Sequence, residues 1–258
     1  MIDLAELAPQ FDDGIDALLE DIAAATPAEL GPTCEDLTGF LQTAGIAALL
    51  LDLDPDGFQH MLLRAGLTRA YHLEHTPPPA RDASRWCKIS RAGGFFSAVA
   101  AGQLDLARRI VAAGPQQRNP RFEYEEDYAY VRFLHGLLLA EPEGALKALL
   151  DAWKKLLDGG ASARLGVCRA LLGRDPAVFD GAFTRLLDAR ADELLEEERS
   201  MSRDETAFAG ARYVFIEGLA LLRFATGLGI ATQPEHTYCP REARFPVGTP
   251  FPDDRYPR

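Results

Sequence analysis

Apolar residues recur along the chain at three- and four-residue intervals and strict alternation is nearly absent, so the pattern predicts helices and no sheet. Residues 11–25 place Ile15, Leu18, Leu19 and Ile22 on one side and stop before Pro27. Thr33-x-x-Asp36 is the expected start of a helix reaching about residue 53, and Asp54-Pro55 gives the cap and first-turn proline of the next. That helix either ends at Gly66 or tolerates it and runs to about His75, before Pro77-Pro78-Pro79 forces a break. Trp86, Ile89, Phe95, Phe96 and Val99 predict a further helix, and the turn at 101–105 leads into another over 104–113. Helices over 124–140, 143–157, 161–172 and 176–200 follow with short connections.

Residues 202–228 are expected to form one long central helix. Ser202-x-x-Glu205 has capping-box spacing, and Val214, Phe215, Ile216, Leu219, Leu221, Leu222, Phe224 and Leu228 are interrupted only by Glu217 and Arg223. Gly210, Gly218 and Ala220 allow close neighbours, while Gly227 and Gly229 end the helix. Pro234, Pro240, Pro246, Pro250, Pro252 and Pro257 then predict an extended strap. The fold class is therefore all-α: about ten helices in antiparallel hairpins, as a bundle or an irregular helical-repeat stack, with no sustained 34- or 40-residue period. The expected division is an acidic N-terminal layer (1–76), a main helical domain (82–231) and the strap (232–258), or all three as one domain.

Charge sharpens this picture. The net charge is −12, and residues 1–63 hold thirteen acids with no Lys or Arg, whereas the rest of the chain is near balance. Such a face repels nucleic acid and anionic lipid and attracts a basic partner; its simpler reading is a set of solvated helix faces. Acids at positions 3, 6, 12, 13 and 16 stand where a presequence needs bases, so the mature chain is expected to begin at Met1. The longest uncharged run, 37–51, is short of the roughly 20 residues a membrane helix needs. Cys34, Cys87, Cys168 and Cys239 show no metal-ligand spacing and are read as free thiols of a cytoplasmic protein.

Candidate chemistry is sparse. Asp52, Asp54, Asp56 and Gly57 copy the start of a calcium loop, but its twelfth position is Leu63, and capping explains these residues better. His72 and His75 share a helical face without a third ligand and are read as surface residues. No nucleophile elbow or phosphate-cradling glycine frame is present, so neither catalysis nor a cofactor is expected. Glu217, inside an apolar helix, is expected to pair with an Arg or a backbone donor. Glu123, Tyr124, Glu125, Glu126, Asp127 and Tyr128 mix acids and rings at a helix mouth. They suit the positive end of the helix dipole, and equally suit anchoring a basic protein surface.

Several motifs, taken together, resemble the immunity protein 49 family. These are Phe95-Phe96-x-x-x-Ala100-Ala101-Gly102-x-Leu104-Asp105-x-Ala107, the acidic-aromatic segment 124–135, Glu217-Gly218-Leu219-Ala220-Leu221, Gly229, and Glu235-His236-Thr237-Tyr238-Cys239-Pro240. The resemblance covers roughly the last two thirds of the chain and omits the acidic first quarter. It implies a small α-helical protein encoded beside a secreted bacterial toxin, which it binds and neutralises. A basic toxin, such as a nuclease, fits the charge, with contact through the 123–128 segment or Asp52, Asp54 and Asp56. The alternative is a helical-repeat adaptor that gathers other proteins.

Overall fold

Helix starts follow local capping chemistry. In α1 (Leu4–Leu7) Asp3 and Glu6 cap one another's backbone N–H groups, and a 3-10 turn at Ala8–Gln10 leads into α2 (Phe11–Ala24), which buries Phe11, Ile15 and Ile22. The computed structural model describes residues 3–251. α3 (Leu30–Leu51) begins earlier than expected because the operative signal is Thr26-x-x-Glu29: the Thr26 amide and hydroxyl donate to Glu29 Oε2 at 3.1 and 2.6 Å. Thr33 lies inside the helix, its hydroxyl donating to the Glu29 carbonyl. α4 (Pro55–His75) is capped by Asp54 as expected and continues through Gly66. The prolines that end it also start α5 (Pro78–Ala83), where φ is preset and no amide donor is needed.

Trp86 and Ile89 do not extend α6 (Gly93–Ala100) backwards, contrary to expectation. They sit in an irregular segment pinned from beneath by Arg69 of α4, which donates to the Trp86 and Lys88 carbonyls at 2.7 and 2.8 Å. His72, expected at the surface, is buried beside it, with Nδ1 3.4 Å from the Arg69 guanidinium and Nε2 3.6 Å from Cys87 Sγ. Burial, with Arg69 adding repulsion, pushes its pKa down to about 3. His75 is exposed and stacks on Tyr71. After a turn in which Gly102 takes φ +71°, α7 (Leu104–Ala113), α8 (Glu125–Leu138), α9 (Glu143–Leu156), α10 (Ala163–Gly173) and α11 (Pro176–Arg199) fall within two residues of their expected bounds.

The long helix expected over 202–228 is two helices, α12 (Glu205–Ala211) and α13 (Ile216–Gly227). Asp204, not Ser202, caps the first by accepting from the Thr206 and Ala207 amides. The break at 212–215 falls on Tyr213-Val214-Phe215, residues of low helix propensity, and frees the Phe215 amide to donate to the Tyr238 carbonyl at 2.7 Å. Gly229 ends α13 at φ +77°, while Gly227 stays within the helix.

Successive helices pack as hairpins, α3 on α4, α8 on α9 and α10 on α11, while α12 returns to α3 and α13 to α6. Both α6 and α13 are enclosed almost all round. Buried residues from Leu4 to Ala243, including all four free cysteines, form one connected core. Among the described residues the fold is all-α, as expected, and no helix is long and apolar enough to cross a membrane. The strap is irregular apart from a 3-10 turn at Arg241–Arg244; Pro252 and Pro257 lie outside the described residues. It is tied to α4, where Gln59 Nε2 donates to the Ala243 carbonyl at 2.7 Å and Asp56 accepts from the Gly248 amide at 2.7 Å.

Candidate functional site

The first turn of α13 sets Glu217 against α8 and α10. Arg164 donates through Nε and Nη2 to the two Glu217 oxygens at 3.0 and 3.1 Å, and the buried Tyr130 hydroxyl adds a third bond at 2.9 Å. Burial pulls the Arg164 guanidinium toward neutrality, but Glu217 and Tyr130 outweigh it and hold its pKa above the ordinary value. Burial, reinforced by Glu217, pushes the Tyr130 phenol well up. With both oxygens occupied by fixed donors, Glu217 is a tie between helices, as expected of a carboxylate on an apolar helix.

Gly218 explains the neighbouring half of the motif. A Cβ there would lie 2.6 Å from the Phe215 ring and 2.8 Å from Cys239 Sγ, so only glycine lets the strap sit down on α13. Tyr238 turns the strap with φ +61°, a conformation costly outside glycine, and its carbonyl receives the Phe215 amide. The Glu217-Gly218 and Tyr238-Cys239-Pro240 motifs are thus two sides of one joint.

The acidic-aromatic segment divides into an inner and an outer part. Glu123 is buried, its two oxygens accepting from the Ser90 and Asn119 amides at 2.8 and 2.9 Å, so it fastens loops together. Tyr124 is 83% exposed, and Glu125, Glu126 and Asp127 occupy the first turn of α8. Glu125 meets Arg118 at 2.7 Å and Asp127 meets Arg164 at 3.5 Å, while Tyr128 is half-buried. In the other cluster, Asp54 accepts from the Gly57 amide as a cap, and Asp56 is held below the usual carboxylate range by the Gly248 amide and the Thr249 hydroxyl. Asp52 is exposed. No hydrogen bond or ion pair joins the two clusters, and no group of three His, Cys, Asp or Glu is placed to hold a metal among the described residues.

A groove of 550 Å³ is absent from the sequence reading. It runs between α2, α3 and α12, with Leu18 and Phe40 in its wall and Glu35, Asp36 and Asp204 around it. Partial burial, and then the charges of Asp204 and Glu35, hold the Asp36 carboxyl above its ordinary value. The groove continues past Gly39 and Ala207 into a hollow bounded by Phe215 and Glu217. Its residues come from distant segments, and no local spacing marks them.

The family model described as immunity protein 49 matches residues 47–243. The chain belongs to the immunity protein 49 family. Searches of curated proteins and of solved structures returned no match. The immunity protein 49 match takes in the Glu217–Cys239 joint, the 123–128 segment and the 52–56 loop, and leaves α1, α2 and most of α3 outside it. An immunity role, and with it a partner toxin in general, follows from that membership, and such families are generally non-enzymatic.

Proposed function

We propose that the protein acts in the cytoplasm, where it binds a cognate secreted toxin and neutralises it by protein–protein contact alone. The observation that carries this reading is the immunity protein 49 match over residues 47–243. The toxin is a basic protein, for which a nuclease is the leading class, because thirteen acids and no Lys or Arg in residues 1–63 would speed its approach. Exposed Asp12, Asp13, Glu20 and Asp21 on α2 give this charge an outward face. Contact is made through the outer part of the acidic-aromatic segment, Tyr124 to Tyr128, with Asp52, Asp54 and Asp56 as the second candidate surface. Tyr124 provides the exposed ring and Glu126 a carboxylate that pairs with no cation among the described residues.

The test is co-expression with the polypeptide encoded immediately beside this chain, scored for rescue of growth and for co-purification. Rescue with a stable complex is expected; absence of both toxicity and a complex would move the assignment to an adaptor. Tyr124→Ala with Glu126→Lys should then weaken the complex at least tenfold and slow its formation. Unchanged association would remove this surface from the reading and leave immunity intact.

A further inference from the structure

Where α13 meets the returning strap, Arg223, Arg241 and Arg244 line one cavity of 240 Å³, and no acidic residue lines it. In a chain of net charge −12, several arginines are matched, Arg91 with Glu35, Arg109 with Glu74, Arg132 with Glu141 and Arg164 with Glu217, while Arg69 and Arg81 are anchored on carbonyls. None of the three cavity arginines has a carboxylate partner among the described residues. Their anchors are uncharged. Arg223 Nη2 donates to the Ala100 carbonyl at 3.2 Å, Arg244 donates to the Gln233 carbonyl and the Thr232 hydroxyl at 2.6 Å each, and Arg241 lies 5.7 Å from the centre of the Phe245 ring. Guanidinium groups keep their charge at any physiological pH, so three positive charges converge on a partly buried, partly apolar hollow with no carboxylate in its lining; Glu235 acts on Arg244 from outside it, and burial still outweighs that help. Burial and the neighbouring Arg244 both press on Arg223 in the direction a missing anion would relieve.

We infer that this cavity is a binding site for a small oxyanion, a carboxylate or phosphate group. Arg223 and Arg244 are held by carbonyl and hydroxyl acceptors that leave N–H donors over, and Arg241 makes no hydrogen bond among the described residues, so all three keep donors for the paired, charge-assisted bonds that recognise planar or tetrahedral oxyanions. Leu219, Leu222 and Phe245 supply apolar wall for a short carbon body beside that group. The volume suits a small molecule or one acidic side chain, not a folded segment.

The experiment is calorimetric and NMR titration of the purified full chain with inorganic phosphate, succinate and a capped diglutamate peptide, against sodium chloride at matched ionic strength. The control variant is Arg241→Gln, because Arg241 is exposed and touches only the Phe245 ring, so the fold survives its loss. Binding in the millimolar range or tighter is expected for at least one probe, weakened at least tenfold by R241Q. Phosphate or succinate binding most tightly would identify a free anion as the occupant; preference for the peptide would identify an acidic side chain of another protein. No binding of any probe above the chloride control would overturn the site, as would binding that R241Q leaves unchanged.

Discussion

Replacing Gly218 with alanine tests the joint between α13 and the strap. The added methyl would sit 2.6 Å from the Phe215 ring and 2.8 Å from Cys239 Sγ, where ordinary contact needs 3.4 Å or more, and both neighbours are buried. Overpacking of this kind costs about 1–3 kcal/mol. Against it stands the helix propensity of alanine, worth at most about 1 kcal/mol and less in a first turn. The balance is a loss of about 1–2 kcal/mol, which for a chain of this size lowers Tm by roughly 2–8 °C. Urea unfolding followed by circular dichroism measures it directly. Pairing Gly218→Ala with Cys239→Ala removes one of the two clashes, so the double mutant should be more stable than the summed single effects by at least about 0.5 kcal/mol. A neutral or stabilising Gly218→Ala, as propensity alone would give, would refute the argument, and so would strict additivity.

Arg164→Met should cost about 1–3 kcal/mol, below the full penalty for breaking a buried pair because the Arg164 side chain is 34% exposed. Adding Glu217→Gln should recover part of that loss in urea unfolding, and no recovery would mean that Arg164 acts only by packing. His72 and His135 are both held neutral by burial, with pKa values pushed down to about 3, whereas the unfolded chain protonates them near 6.5. The unfolded state thus binds more protons throughout that window, and stability falls as pH drops through it, by about 2 kcal/mol per histidine between pH 7 and pH 5. His135→Phe should flatten the dependence, and an unchanged slope would exclude His135 as a source. Asp56→Ala should release the Gly248 amide and speed hydrogen exchange over residues 246–251, while exchange in α4 beyond its first turn stays as it was.

Elements whose ends are set locally were legible in the sequence. α4, α7 and α9 begin and end close to their Asp-Pro, Gly and Pro punctuation, and α11 begins at its Asp175-Pro176, because those residues act on the backbone beside them. The errors lie where a distant partner decides. Phe215 leaves the helix because its amide is claimed by Tyr238 of the strap, and the 84–92 segment stays irregular because Arg69 holds its carbonyls. Trp86 and Ile89 carry apolar spacing that reads as helix, yet Ile89 enters the core from a loop and Trp86 stays half-buried. For the candidate site, the kind of partner Glu217 needs was legible from its apolar surroundings, but not that Arg164 supplies it. Glu123 illustrates the reverse: a carboxylate grouped with Glu125 and Glu126 by sequence is turned inward by two loop amides.

The joint at Gly218 also sets an order of events during synthesis. Cys239 and Ala243 fill places in a core whose other walls, from Phe58 to Phe215, are translated before them. A chain paused before residue 236 leaves the Phe215 amide without its acceptor and the face of Gly218 open to water. The helices made by then therefore have an unclosed seam, and the joint can lock only once residues 236–243 have been added and have reached it.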